Sequence, residues 1–163
     1  MGKRRGQEKW RKQQVAPRSE SLPYSSRTNL LTPGERRFYH QGLNPAIGNR
    51  YLISFKVRLA DVITAKDWES SYGRKIAQKH LDFVLTTPKT TRIVAAIELN
   101  DASHEASERQ RRDDFLSQAL HSAGIPLITF PIYYKYDAEK IRHRILAAIT
   151  AIRHRKHRSS HQS

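Results

Sequence analysis

Two apolar segments of this chain each carry one acidic residue at a position where a buried strand gains nothing from a charge. The first segment is HLDFVL, residues 80–85, which contains Asp82; the second is IVAAIELND, residues 93–101, which contains Glu98. Moving a carboxylate out of water costs several kcal/mol unless another group pairs with it. Because a divalent cation is a common partner for two such acids, the pair predicts a metal site.

The connection between the two segments is short and contains Pro88, which predicts an antiparallel hairpin. Side chains alternate across a strand, so Asp82 is expected on the face opposite to the odd-numbered residues of 81–85. Asn100 is expected on the same face as Glu98, and Asp82 and Glu98 then project from one side of the sheet. Their oxygens are hard ligands suited to Mg²⁺ or Mn²⁺, and such an ion lowers the pKa of a bound water and stabilises charge on a phosphodiester.

Local signals predict the elements that would position these groups. A helix is predicted to begin at Thr32, a good N-cap, with Pro33 in its first turn and Glu35 as the acid of a capping box. Residues 51–59 are predicted to form a strand in which the odd-numbered residues from 55 onward share one apolar face. A polar connection is predicted over residues 64–78.

The second half of the chain predicts two helices and one strand. The first helix covers residues 105–123 with Gly124 as its C-cap, and a short buried strand follows over 125–130. The last helix covers about residues 138–152 and carries a stripe of apolar side chains. The order helix, strand, strand, strand, helix, strand, helix is typical of an α/β fold in which helices flank a mixed sheet.

Positive charge is concentrated at the two ends of the chain. Of the net charge of +15, residues 1–28 contribute +6 and residues 140–163 contribute +7, whereas residues 29–139 contribute +2. We expect 1–28 to be a disordered basic tail, 29–153 one domain and 154–163 a basic C-terminal tail. Basic ends bind phosphate backbones without reading sequence, so nucleic acid is the expected partner, with DNA favoured over RNA. An acidic protein partner and simple solubility are the alternatives.

Composition excludes several classes of protein. Cysteine is absent, which excludes a disulfide framework and a thiolate zinc site. No apolar run reaches the roughly 20 residues that cross a bilayer. The basic N-terminus is not followed by the apolar segment of a secretory signal. The expectation is a cytoplasmic protein without a membrane partner, whose oligomeric state the sequence leaves open.

The order and spacing of the motifs resemble the PD-(D/E)XK, restriction-endonuclease-like superfamily. More narrowly, they are similar to a branch related to very-short-patch-repair endonucleases, which includes a bacterial family of unknown function. The resemblance covers about residues 31–132 and rests on TPGERRF (32–38), KVRLADV (56–62), Asp82-Phe83, IELND (97–101), Ser103-His104, RRD (111–113) and GIPL (124–127). It implies a restriction-endonuclease-like mixed β-sheet flanked by helices, and Mg²⁺- or Mn²⁺-dependent endonuclease activity on DNA.

The resemblance also implies roles for individual residues. Asp82 and Glu98 would be metal ligands, assisted by Asn100, while His104 would be the acid/base and Glu35 would join the site from the first helix. The basic residues expected to contact nucleic acid are Lys56, Arg58, Lys79, Arg111 and Arg112.

Asn100 departs from the pattern, because the superfamily has a lysine at this position and the branch more often has an aspartate. Asparagine removes one negative charge from the ligand set, and the usual lysine is missing, although Lys79 or Lys56 could supply a cation from a neighbouring strand. Three functions therefore stay open: a metal-dependent endonuclease, a catalytically inactive nuclease-like module that binds nucleic acid, and an RNA-associated basic protein.

Several of these residues also have ordinary structural interpretations. Glu35 is explained by the capping box alone, and His104 by a position near the start of the following helix. Asp61 is expected to pair with Arg58 or with a turn amide. The tyrosines within 133–136 are predicted to be half-buried against the final helix rather than to stack on bases.

Overall fold

The computed structural model describes residues 22–100 and 115–159, and within them a four-stranded mixed sheet is flanked by helices. The predicted α/β class is thereby confirmed. In chain order the elements are helix α1 (Pro33–Phe38), a π-helical turn (Tyr39–Leu43), helix α2 (Asn44–Ile47), strand β1 (Leu52–Arg58), a 3₁₀ turn (Leu59–Asp61), helix α3 (Ser71–Ala77), strand β2 (His80–Thr86), strand β3 (Ile93–Asn100), helix α4 (described over 115–122), strand β4 (Leu127–Pro131) and helix α5 (Ala138–Ser159).

The strands of the sheet lie side by side in chain order, β1-β2-β3-β4. The first three are antiparallel, as the short β2–β3 connection predicts, and β4 runs parallel to β3. A parallel pair needs a crossover connection, and α4 lies in that connection. The carboxylate-bearing strands β2 and β3 therefore occupy the two central positions of the sheet.

Two helix ends follow the local signals of the sequence. The hydroxyl of Thr32 accepts a hydrogen bond from the N–H of Glu35 at 3.3 Å, and the Glu35 carboxylate accepts one from the N–H of Thr32 at 2.9 Å. The predicted capping box is therefore confirmed. Gly124 follows α4 with a φ of 68°, the left-handed conformation that favours glycine at a helix C-terminus.

Two predicted boundaries are corrected by the structure. The connection predicted over 64–78 contains α3, whose seven residues include only one buried apolar side chain, Ile76, and therefore show no helical period. The cap of this helix is Ser70, whose hydroxyl accepts from the N–H of Gly73. Helix α5 continues to Ser159 instead of ending near residue 152, because adding residues to an existing helix costs little even where no apolar stripe remains.

Buried apolar side chains form two groups that share the sheet. The first core joins α1 and α5 to the strands, with Phe38 and Ile145 among its fully buried members. The second core joins α3 and α4 to the strands, through Ile76 and Leu120. Removing this apolar surface from water supplies the main driving force for folding, at roughly 25 cal/mol per Å².

Along β1, side chains stop alternating regularly between the two faces of the sheet at Lys56. Phe55, before this point, packs against the first core, whereas Val57, after it, packs against the second. On β2, Phe83 and Leu81 divide between the two cores in the same way. The predictions that residues 55–59 and residues 81–85 each present one continuous apolar face are therefore wrong. On β1 the reason is local: Lys56 has a φ of 52°, and this left-handed residue turns the strand so that the next side chain points to the other face.

Gly42 lies where the π-helical turn meets the last helix. A Cβ atom there would come within 2.5 Å of Cδ1 of Ile141 and 3.2 Å of Cβ of Tyr136. We expect Gly42→Ala to lower the free energy of unfolding by about 1–3 kcal/mol, because both neighbours lie in packed surroundings. Urea denaturation followed by far-UV circular dichroism measures this. Gln41→Ala, at an exposed position of the same turn, is the control and should stay within about 0.5 kcal/mol of wild type.

Within the described parts of the chain, no helix is both long and apolar enough to cross a membrane.

Candidate active site

A lysine on β1 bridges two acidic side chains from different elements. The Nζ atom of Lys56 donates to Oε1 of Glu35, on α1, at 2.5 Å and to Oδ1 of Asp82, on β2, at 2.8 Å. The register explains the second contact: Phe55 pairs with Phe83 and Val57 with Leu81, so Lys56 lies opposite Asp82. The three groups thus meet although they are distant in sequence.

Glu98 reaches the same place from β3. Its Oε1 atom accepts a hydrogen bond from the N–H of Asp82 at 3.1 Å, and Oδ2 of Asp82 accepts one from the N–H of Leu99 at 3.0 Å. Regular pairing of the two strands stops one residue earlier, at Phe83 and Ile97. Beyond that pair, the two carboxylates make hydrogen bonds to the opposite backbone. We call Glu35, Lys56, Asp82 and Glu98 the carboxylate cluster.

Glu35 has two roles at once. One carboxylate oxygen, Oε2, accepts from the capped N–H of Thr32, while the other, Oε1, accepts from Lys56. The capping box therefore orients the carboxylate toward the cluster. The structural and the functional interpretations of this residue are compatible, because the two oxygens serve different partners.

The backbone of Lys56 is held in an unfavourable conformation. A left-handed φ costs a residue with a Cβ atom about 1–2 kcal/mol, and Lys56 adopts one within a strand. Such strain persists only where surrounding contacts determine it, and it is frequent at functional sites. Here the two ion pairs of the ammonium group are the contacts that compensate for it.

The cluster lies at the edge of the core rather than on the open surface. Glu35 is 7% exposed, and within residues 22–100 and 115–159 it is the buried charged residue. The side chains of Asp82 and Lys56 are 16% and 30% exposed. A ligand in solvent can thus reach the cluster mainly on the side of Lys56 and Asp82.

The pKa values of the Glu35–Lys56 pair move apart. Burial raises the pKa of Glu35, but the hydrogen bonds from Lys56 and from the N–H of Thr32 outweigh it, and the net pKa is lowered. Burial lowers the pKa of Lys56, but its hydrogen bonds to Asp82 and Glu35 outweigh this, and the net pKa is raised. Both residues therefore stay charged across the neutral range.

The comparisons with known proteins assign the chain to a family. A family model described as "Protein of unknown function (DUF2726)" matches residues 27–149. The chain belongs to the DUF2726 family. The matched range includes every member of the carboxylate cluster. No curated protein and no solved structure matches the chain.

The other predicted site residues of this DUF2726 chain have different surroundings. Asn100 ends β3, and its carbonyl accepts from the N–H of Ile132 at 3.0 Å. Arg58 forms the predicted ion pair with Asp61, at 2.8 Å, on the surface. Nζ of Lys79 lies 5.6 Å from the ring centroid of Phe115. His104, Arg111 and Arg112 lie outside the described residues.

The role of Lys56 is only partly predictable from the sequence. A nucleic-acid contact or a substitute cation is expected there, but the bridge between Glu35 and Asp82 is not. The signal that could have found it is the pairing of β1 with β2, because residues 56 and 82 lie opposite each other once Phe55 is paired with Phe83. Pairing register between strands is not encoded in either strand alone.

The donor set of the DUF2726 site fits a hard divalent cation in its chemistry. Asp82 and Glu98 offer carboxylate oxygens, and Asn100 follows Glu98 by two residues on the same strand. Among the described residues, no three or more His, Asp or Glu side chains lie close enough together to hold a metal ion. A bound ion would therefore rest on Asp82 and Glu98, with Lys56 as its cationic neighbour.

The ion pair predicts a pH dependence of stability. Because the folded pKa of Glu35 is below its usual value of 4.5, the advantage of wild type over Glu35→Gln is fully present above pH 4.5 and is lost as the pH falls through the folded pKa. For Lys56 the sign is opposite: its contribution is present below its usual value of 10.5 and is lost as the pH rises through the folded pKa.

Urea denaturation of both proteins in chelator between pH 3 and pH 8 measures the acid limb. We expect the difference in free energy of unfolding to be constant near neutrality and to shrink in acid. A difference independent of pH over this range would contradict the assigned role of Glu35.

Proposed function

We propose that this DUF2726 chain has a restriction-endonuclease-like fold and is a DNA-cutting phosphodiesterase that uses Mg²⁺ or Mn²⁺. The observation that carries the proposal is that Lys56 bridges Glu35 and Asp82 while Glu98 accepts from the backbone of Asp82, so that three strands and a helix cap contribute to one cluster. Acids and a lysine that share a strained, half-buried position are more typical of a reaction site than of a structural ion pair. The mixed sheet flanked by helices is compatible with the fold that the sequence resemblance implies.

Asp82 and Glu98 are the residues that would hold the ion. When bound, the ion supplies Lewis-acid chemistry, lowering the pKa of a water and stabilising charge on the phosphodiester. The N–H of Asp82 donates to the Glu98 carboxylate and the N–H of Leu99 donates to the Asp82 carboxylate, so the backbone restrains the orientation of both acids. Asn100 adds an amide oxygen on the face of Glu98.

Lys56 would supply the cation that the sequence motif lacks at position 100. Its ammonium group is anchored by Glu35 and Asp82 and is the most exposed member of this ion-pair set. A third donor hydrogen of the ammonium can bind an oxygen of the scissile phosphate and stabilise the charge that develops on it. Glu35 acts as a positioning residue, because it holds Lys56 without reaching the surface itself.

Charge supports DNA as the polymer. The chain carries a net charge of +15, most of which lies at its two ends, and such ends bind phosphate backbones with strong salt dependence. The basic ends raise the local concentration of DNA at the cluster without selecting a sequence.

A second candidate function is a nuclease-like module that binds nucleic acid without cutting it. It is favoured by the two ion pairs of Lys56, through which a side chain of the protein itself neutralises two of the acids. This function is also favoured by the neutral side chain of Asn100, because the related branch more often has an acid at that position.

Incubation of the full-length protein with supercoiled plasmid, linear duplex, single-stranded DNA and RNA separates these functions. Each substrate is tested with Mg²⁺, Mn²⁺ or chelator, beside the Glu98→Ala variant. Metal-dependent product that is lost in the variant supports the nuclease. Salt-sensitive binding without product supports the module, and a preference for structured RNA over duplex DNA supports the RNA-associated alternative.

A further inference from the structure

Two tyrosines after β4 are left open to solvent. Tyr133 and Tyr134 are 58% and 78% exposed, whereas Tyr136 packs against the first core and contacts Phe38 at a centroid distance of 5.0 Å. The prediction that this group is packed against the final helix is therefore right for Tyr136 and wrong for the other two. Two consecutive exposed rings offer planar apolar surface with a polar hydroxyl edge to a ligand.

The position of the exposed rings is fixed by neighbouring groups. The hydroxyl of Tyr136 accepts from the N–H of Tyr133 at 2.9 Å and donates to the carbonyl of Pro131 at 3.3 Å. The guanidinium of Arg37 lies 5.1 Å from the ring centroid of Tyr134, and its Nη1 donates to the carbonyl of Tyr133 at 3.4 Å. These contacts hold the turn that carries the two exposed rings.

A groove with basic walls adjoins these rings. It has a volume of about 320 Å³ and lies between the end of β4 and the start of α5. Lys135, Lys140 and Arg144 line it, with Arg144 4.9 Å from the ring centroid of Phe130. Asp137 is the acidic residue of the lining, and Lys140 lies 3.7 Å from it. We call Arg37, Tyr133, Tyr134, Lys135 and Arg144 the aromatic–basic surface.

Two elements link this surface to the carboxylate cluster. Arg37 is on α1, two residues after Glu35. Ile132, which precedes the tyrosines, hydrogen-bonds to the backbone of Asn100 and lies 3.2 Å from where a Cβ of Gly34 would be. The aromatic–basic surface and the carboxylate cluster are therefore connected through α1 and through the end of β3.

We propose that the aromatic–basic surface binds unpaired nucleotides of a DNA strand, whose bases stack on Tyr133 and Tyr134 while Arg37 and Arg144 pair with the phosphates. Bases expose their faces only where they are unpaired, so stacking platforms select single strands and junctions over blunt duplex. Rings flanked by cations suit a polymer that alternates planar bases with phosphates better than they suit an apolar protein surface. The proposal deepens the proposed function by naming the substrate class as DNA with an unpaired stretch, and it rests on that function for the choice of DNA.

Fluorescence anisotropy of the full-length protein tests this in chelator, where no cleavage is required. The probes are a single strand of about 20 nucleotides, a duplex with an overhang, a blunt duplex, and an RNA strand of the same sequence. Salt of about 200 mM weakens the contribution of the basic ends and leaves stacking in place. The variant is Tyr133→Ala/Tyr134→Ala, with Tyr134→Phe as the conservative substitution.

Tyr72→Ala is the matched control. Tyr72 lies on α3, is 67% exposed, and has Nζ of Lys75 at 5.8 Å from its ring centroid, so it reproduces an exposed ring beside a cation. Equal far-UV circular dichroism and melting temperatures of all variants establish that folding is unchanged.

We expect the double variant to weaken binding of the single strand and the overhang by about 10-fold or more, and binding of the blunt duplex by less than about two-fold. Tyr134→Phe and Tyr72→Ala should stay within about two-fold of wild type. Equal losses on all DNA probes, no loss on any, or retention of binding by RNA alone would overturn the proposal. Because the assay needs no metal, absence of cleavage would count against the nuclease and not against this surface.

Discussion

Replacing Glu98 by glutamine is expected to lower metal-dependent cleavage by at least about 100-fold while DNA affinity stays within about two-fold of wild type. Glutamine keeps the oxygen that accepts from the N–H of Asp82, so the junction of β2 and β3 is preserved. What it removes is one negative charge from the site at which Asp82 and Glu98 would hold the ion. Rates are measured on the substrate that wild type cuts best, and affinities by anisotropy in chelator.

Glu69→Gln is the control for this experiment, because Glu69 is an exposed acid in the connection before α3. It makes the same change of net charge and should leave the rate within about two-fold. Cleavage that survives in Glu98→Gln at the wild-type rate would remove Glu98 from the reaction and would locate any nuclease activity elsewhere in the chain.

Replacing Lys56 by methionine is expected to affect both stability and chemistry. It leaves Glu35 and Asp82 without the cation that bridges them, with side chains only 10% and 16% exposed. We expect the free energy of unfolding to fall by about 1–3 kcal/mol, less than for a fully buried pair because Lys56 is partly solvated. If Lys56 contacts the scissile phosphate, cleavage falls as well, by about 100-fold.

Two further variants separate the charge of Lys56 from its backbone strain. Lys56→Gly removes the charge but also relieves a φ of 52°, so it should be about 1 kcal/mol more stable than a charge-removing variant with a Cβ atom.

Adding Glu35→Gln to Lys56→Met should restore part of the lost stability, because the unpaired acid is removed with its partner. Urea denaturation of wild type, Glu35→Gln, Lys56→Met and the double variant measures the coupling, and strictly additive effects would contradict the ion pair.

Competition between Lys56 and a metal ion for Asp82 can be measured without catalysis. In Lys56→Met, an added cation no longer competes with the ammonium group for Asp82, so Mn²⁺ should raise the melting temperature of the variant by more than that of wild type. Glu98→Gln combined with Lys56→Met should lose this gain. An equal response of wild type and Lys56→Met to Mn²⁺ would show that lysine and ion do not share the carboxylate.

Much of the candidate site was present in the sequence because it depends on local rules. An acid within an apolar run is conspicuous wherever the run folds, and Asp82 and Glu98 were found in this way. The capping box around Glu35 involves residues only three apart, so the signal and the structure coincide. Gly124 is similar, since a helix C-terminus selects glycine for its own backbone.

The interactions that the sequence did not predict all depend on pairing between distant segments. The bridge of Lys56 to Glu35 and Asp82 requires both the register of β1 on β2 and the docking of α1 beside the sheet. The sequence also did not predict that Tyr133 and Tyr134 are exposed whereas Tyr136 is partly buried. Tyrosines in one short turn differ only in which parts of the fold cover them.

Periodicity and capping are properties of neighbouring residues, so the α/β class, the central hairpin, the caps at Thr32 and Gly124 and the two acids of β2 and β3 could be predicted from the sequence. The bridge of Lys56 between Asp82 and Glu35, and the point at which β1 changes faces, depend on the tertiary structure. A left-handed backbone at Lys56 is unfavourable in isolation, and the fold compensates for it by bringing two carboxylates to the ammonium group.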